Sequence, residues 1–214
     1  MIKAVFGEDL DGTIHKLFPF LFRRKLDPNT LTVLGALVST WAALLFAQGS
    51  LRAGAFVVIA GGFFDLVDGV VARHQGISTT FGGFLDSTLD RWVDVVLMAG
   101  LIVHFTHEGA SWTVAMAAVA LASTVLTSYA KARAELDVGK LTGGLLERGE
   151  RIGLIAAGGI LGLMQPVMWL LALGSTITVA QRMGLAYRAM QALDASAATH
   201  AAPVAAGATQ EEGR

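Results

Sequence analysis

Polar positions along this chain are bunched, and the stretches between them stay apolar for longer than a soluble helix needs. Residues 31–51 and 110–130 contain no charged side chain. About 20 helical residues cross the hydrocarbon core of a bilayer, so each run predicts one transmembrane helix. A third uncharged run, 152–181, exceeds one crossing and carries Pro166 near its middle. It predicts a hairpin of two helices turning at 164–168, because an interior proline removes a backbone donor and breaks the rod. Segments 52–73 and 82–104 are each apolar at one end and acidic at the other, and predict two more spans. The pattern therefore predicts an all-α integral membrane protein with six transmembrane helices.

The flanks have a different character. Residues 1–27 interleave Phe18, Phe20, Leu21 and Phe22 with His15, Lys16, Arg23, Arg24 and Lys25. That mixture suits an N-terminal interfacial helix lying among headgroups, although Pro19 would interrupt it, and it equally suits a basic flank that sets topology. From 191 to 214 the chain turns to Ala, Thr, Pro and Gly without a periodic apolar face, which predicts a disordered tail. The expected organisation is an N-terminal segment 1–27, a membrane domain 28–190 and the tail. Gly158 and Gly162 form a Gly-x-x-x-Gly pair, expected to serve packing within the chain rather than a dimer seam.

Composition agrees with a membrane protein: of 214 residues, 54% are apolar and 15% charged, with mean hydropathy +0.59. The formal net charge of −1 hides a strong sidedness. With six spans, Arg23, Arg24, Arg73, Lys131, Arg148 and Arg188 all fall on the side of the termini, whereas the opposite side offers little beyond Arg52. Basic loops stay in the cytoplasm, so termini and acidic helix ends are expected there. The absence of cysteine removes thiolate and disulfide chemistry. Nothing in this charge pattern calls for a nucleic-acid partner.

Candidate chemistry lies in Asp65-Leu-Val-Asp68-Gly69-Val-Val-Ala72-Arg73 and Gly82-Gly-Phe-Leu-Asp86-Ser-Thr-Leu-Asp90. On helices Asp65 and Asp68 share one face, and Asp86 and Asp90 share another. Ionised groups inside a bilayer cost several kcal/mol each unless compensated, so four carboxylates at one end imply a bound positive charge. An all-oxygen pocket suits one or two hard divalent cations, Mg2+ or Mn2+, and metal-assisted phosphoryl chemistry. Asp65, Asp68 and Asp86 are the expected ligands.

The full spacing, Asp-x-x-Asp-Gly-x-x-Ala-Arg, eight residues, then Gly-x-x-x-Asp-x-x-x-Asp, resembles at every fixed position the signature of the CDP-alcohol phosphotransferase family. Pro28-Asn29-Thr30-Leu31-Thr32 is similar to the segment that opens the family's first span. The resemblance implies transfer of a substituted phosphate from a CDP-linked lipid to an alcohol, with release of CMP. It implies two ions at the aspartates, with Asp90 as the base that also touches a metal. It further implies CDP-lipid contacts from Pro28, Asn29, Thr30, Leu31, Gly69, Arg73 and Thr79. A homodimer in a bacterial or archaeal cell membrane is also the family's expectation.

Segments around Lys131-Ala-Arg133 and Glu147-Arg148-Gly-Glu150-Arg151, together with Gln181-Arg182, resemble the branch of that family that uses inositol phosphate. A phosphorylated polyol carries about two negative charges, which charge-assisted hydrogen bonds from Lys131, Arg151 and Arg182, and more weakly Arg133, would hold. Inositol 1-phosphate is the expected acceptor and glycerol 3-phosphate the alternative. A cation transporter is the rival class, since intramembrane carboxylates also mark ion paths. Such a path needs polar groups at depth and on both sides, and here they gather at one end. Asp94, one turn beyond Asp90, is expected to pair with Arg91 or a neighbouring span. His104 and His107 are expected at the far interface.

Overall fold

The computed structural model describes residues 27–205. The expected interfacial helix in 1–26 lies outside the described residues, as does 206–214. Among the described residues there are helices and no strands: α1 (Pro28–Ala47), α2 (Leu51–Gln75), α3 (Thr80–His107), α4 (Ser111–Val138), α5 (Arg148–Leu161) and α6 (Met164–Ala205).

Local chemistry sets the boundaries. Asp27 caps α1 by accepting from the Asn29 N–H at 3.0 Å, and Pro28 supplies a first-turn φ without a donor. The first helix therefore begins at Pro28 and ends at Ala47, and Leu51, expected at its end, opens α2. Between them Gly49 turns the chain at φ 81°. The α5–α6 turn falls at Gly162, φ 71°, and Leu163, not at 164–168. Pro166 sits in the first turn of α6, where its missing N–H would have had no helical partner. No break marks position 190: α6 continues to Ala205, through alanine-rich sequence with high intrinsic helix propensity.

α1, residues 51–74 of α2, and α4 are each long and apolar enough to cross a bilayer. The other three depart from uniform spans. α3 has 28 residues but an acidic first half. The 14 residues of α5 extend roughly 21 Å, less than the hydrocarbon core of about 30 Å. The 42 residues of α6 extend roughly 63 Å, well beyond it.

Close packing joins α1 to α2 and α3, α2 to α5, α3 to α4, and α6 to α4 and α5. Glycines permit the tightest crossings: a Cβ on Gly100 of α3 would stand 2.2 Å from the Ala43 carbonyl oxygen of α1. The core below is filled by Phe46, Leu97, Leu101, Met164, Met168 and Leu171. Leu37, Trp41, Phe56 and Trp112 point outward, as helices solvated by lipid require. The Gly158–Gly162 pair serves the hairpin itself, Gly158 lying against Val167 while Gly162 makes the turn.

Candidate active site

Two acidic helix ends are brought together by a short link. Gly76, at φ 64°, closes α2, and Thr79 starts α3 by accepting from the Gly82 N–H at 3.0 Å. Carboxylate oxygens of Asp65 and Asp68 on α2 and Asp86 on α3 consequently lie within 4.8 Å of one another. Asp68 is buried, and the Thr32 hydroxyl of α1 stands 2.6 Å from its Oδ2 and 2.9 Å from the Pro28 carbonyl oxygen. Three carboxylates this close repel by roughly 3 kcal/mol per pair at an effective dielectric near 20. The donor set is all hard oxygen, so the residues present fit a divalent cation of the Mg2+ or Mn2+ type.

Asp90 adjoins that trio at Asp65 without being one of the three that converge. Arg148, at the start of α5, donates from Nη1 to Asp65 Oδ2 at 2.7 Å and meets Asp90 Oδ1 with Nη2 at 3.0 Å. One turn deeper, Asp94 of α3 pairs with Arg151 of α5 at 2.8 Å, each side chain 7% exposed. The expected partner of Asp94 on a neighbouring span is thus Arg151, while Arg91 donates to the Ser87 carbonyl within α3. Asp90 and Asp94 on one helix face Arg148 and Arg151 on the other in two rungs. Arg148, expected as a topology charge and as part of the branch-like segment but not as a site residue, is thus in direct contact with two of the signature aspartates. Its spacing of three from Arg151, against Asp90 and Asp94 four apart, was the available signal.

The expected CDP-lipid residues also converge. A Cβ on Gly82 would meet Thr79 Oγ1 at 3.0 Å and Asn29 Oδ1 at 3.1 Å, so the first turn of α1 adjoins the α2–α3 link. Within that turn Thr30 bonds Asp27 at 3.3 Å, and Leu31 packs on Val67, Val70 and Val71 of α2. Gly69 leaves the space above its backbone open apart from Arg73 Nη1, 3.3 Å from where a Cβ would stand.

The basic residues are less uniform than a cup of free cations. Arg182 is buried in α6 and donates to the carbonyls of Thr127 at 2.8 Å and Gly143 at 3.1 Å. Gln181 and Thr178 accept from the Leu145 and Leu146 N–H groups, so α6 holds the glycine-rich link 139–147 in place. Lys131 pairs loosely with Glu135 at 3.9 Å and is 39% exposed. Arg133 forms a more exposed pair with Asp137 on the same helix. The buried Nε atoms of Arg148 and Arg151 meet no acceptor. A recess of about 460 Å³ beside this region is lined by Gly144, Leu145, Gln181, Gly184, Leu185 and Arg188. His104 and His107 lie at the opposite end of α3, His104 beside Glu108 at 3.5 Å.

The sequence profile of CDP-alcohol phosphatidyltransferases matches residues 25–184, spanning the carboxylates and the basic face alike. The chain belongs to that family. It is an integral membrane enzyme of the metal-dependent, phospholipid-synthesising kind. It is similar to the phosphatidylinositol phosphate synthase of Mycobacteroides abscessus, 40% identical over 184 residues that cover 81% of this chain and 83% of the relative. The archaetidylinositol phosphate synthase of Methanothermobacter thermautotrophicus is 37% identical over 82% of this chain and 95% of the relative. Among solved structures, the Mycobacterium tuberculosis phosphatidylinositol phosphate synthase with CDP-DAG bound superposes with a TM-score of 0.74. It is 35% identical, over 80% of this chain and 92% of that one. The same enzyme in complex with manganese and citrate gives a TM-score of 0.75 at 35% identity, over 80% and 88%.

Proposed function

We propose that the chain transfers the phosphatidyl group of CDP-diacylglycerol, or its ether-lipid counterpart, to inositol 1-phosphate, giving phosphatidylinositol phosphate and CMP. The observation that carries this reading is the three-carboxylate pocket of Asp65, Asp68 and Asp86 with Asp90 set beside it, in a chain of this family. Two ions, Mg2+ or Mn2+, held by Asp65, Asp68 and Asp86 with Asp90 at the edge, would supply charge neutralisation at the diphosphate. Asp90 accepts the proton of the attacking hydroxyl. The acceptor oxygen forms its bond to the phosphorus bearing the lipid, and the bond from that phosphorus to the CMP oxygen breaks, its electrons leaving with CMP. The first turn of α1, Gly69, Arg73 and Thr79 hold the nucleotide, since they border the same link.

Lys131, Arg151 and Arg182, with Arg133 further out, form the acceptor's phosphate site. The ammonium of Lys131 supports this, because it is 39% exposed and held only loosely by Glu135 at 3.9 Å, so it can turn to a phosphate oxygen. Six crossings with the acidic end in the cytoplasm bring a soluble acceptor directly to the carboxylates.

CMP release from CDP-diacylglycerol, measured with a panel of alcohols and with or without divalent metal, tests the reading. Inositol 1-phosphate should turn over fastest, and only with Mg2+ or Mn2+. Lys131→Gln should raise the KM for inositol 1-phosphate several-fold while leaving that for the CDP-lipid nearly unchanged, because uniform binding to one substrate is lost. Faster turnover of glycerol 3-phosphate would reassign the acceptor, and full activity in EDTA would remove the metal.

A further inference from the structure

Arg148 is placed as no topology charge needs to be. Its guanidinium is three-quarters withdrawn from solvent and forks across two helices, one arm on Asp65 of α2 and the other on Asp90 of α3. Asp65 is one of the three residues whose oxygens converge. The arginine therefore sits at the edge of the cluster, where a divalent ion would find its ligands. It also links helices that the cluster's own repulsion pushes apart.

We infer that Arg148 is a built-in counter-cation of the acidic pocket. In the metal-free protein it holds α2, α3 and α5 together at their acidic end, and it yields Asp65 when a divalent ion loads. This rests on the metal reading proposed above. Three features of the site support it. A divalent ion drawing on the Asp65 carboxylate adds positive charge beside the guanidinium that Oδ2 holds at 2.7 Å, so arginine and metal compete for the same carboxylate. α5 and α3 are joined near their acidic ends by Arg148 and Arg151, so deleting Arg148 removes one of two rungs. Removing a positive charge next to a ligand also leaves the cluster more negative and a better cation trap.

A merely structural arginine and a counter-cation differ in their response to metal. Mn2+ binding to the purified full chain in detergent, followed by the loss of the free-ion EPR signal, gives the first readout. The second is the thermal midpoint with EDTA and with saturating Mn2+. Arg148→Gln should bind Mn2+ roughly tenfold more tightly than the unmodified chain, the full Coulomb effect being reduced by solvent at a partly exposed site. Its midpoint should fall in EDTA and recover in Mn2+, because a ligand that binds only the folded state restores what the counter-cation supplied. Arg148→Lys keeps the charge without the fork, so its Mn2+ affinity should stay within about threefold of the unmodified chain while its EDTA midpoint falls.

Unchanged or weaker Mn2+ binding in Arg148→Gln overturns the inference, as does an equal drop in midpoint with and without metal. If Arg148→Gln does not fold, Arg148→Lys decides: an EDTA midpoint equal to that of the unmodified chain overturns it. A different failure, no Mn2+ binding by the unmodified chain, refutes the metal reading itself.

Discussion

At the scale of single residues, the site depends on groups beyond the carboxylates themselves. The Thr32 hydroxyl, 2.6 Å from Asp68 Oδ2, fixes the rotamer of a buried carboxylate and connects it to the first turn of α1. Hydrogen bonds of this outer kind are commonly worth about 10–100-fold in metal affinity or activity. Thr32→Val, nearly isosteric, should therefore cost CMP release about that much, and raising the Mn2+ concentration should restore part of it. A rate unchanged at limiting metal would show that Asp68 is held well enough without the bond. The four signature aspartates were legible in the sequence because their relationships are local, set by helical spacing. Arg151 and Arg182 could be seen as cations at the correct end, but not that Asp94 and the carbonyls of Thr127 and Gly143 would hold them. Those partners come from α3, α4 and the 139–147 link, and no spacing within α5 or α6 reveals them.

Among whole elements, hydrophobic runs located the helices, and local capping set their ends. The run 31–51 crosses an α1–α2 boundary because Gln48, Gly49 and Ser50 carry no charge, yet Gly49 at φ 81° turns the chain there. Likewise the turn of the last hairpin belongs to Gly162, since proline in a first turn starts a helix as readily as it ends one. Helix crossings were the least legible feature, because a glycine's neighbour cannot be read from its own segment. Two glycines separate these effects. A Cβ on Gly100 would lie 2.2 Å from a backbone oxygen of Ala43, which no side-chain movement relieves, whereas a Cβ on Gly62 meets nothing within 4 Å. Gly100→Ala should force α1 and α3 apart and lower the thermal midpoint by several degrees or more. Gly62→Ala should be neutral or raise it, alanine favouring the helix by about 0.5–1 kcal/mol. Thermal unfolding of the two variants side by side checks this, and equal midpoints would mean that the α1–α3 crossing is looser than described.

For the molecule as a whole, one end of the bundle gathers nearly all the ionic chemistry: the carboxylates, Arg148 and Arg151, and the link held by Arg182. A membrane enzyme that joins an embedded donor to a soluble acceptor needs this polarity, because the lipid reaches the site from the side while a charged alcohol cannot cross the core. On the proposed orientation, the basic loops at that end face the cytoplasm. Because the chain contains no cysteine, a single introduced thiol reports its side without background. Ser78 lies exposed in the link between the acidic ends of α2 and α3, and Ser50 lies exposed in the α1–α2 turn at the other end. In intact cells a membrane-impermeant maleimide should label Ser50→Cys and leave Ser78→Cys unmodified until the membrane is opened. Neither substitution removes a side-chain bond on which the site depends, Ser50 making no capping bond at the start of α2. Labelling of Ser78→Cys from outside would place the carboxylates away from any cytoplasmic acceptor, and the proposed orientation would have to be reversed.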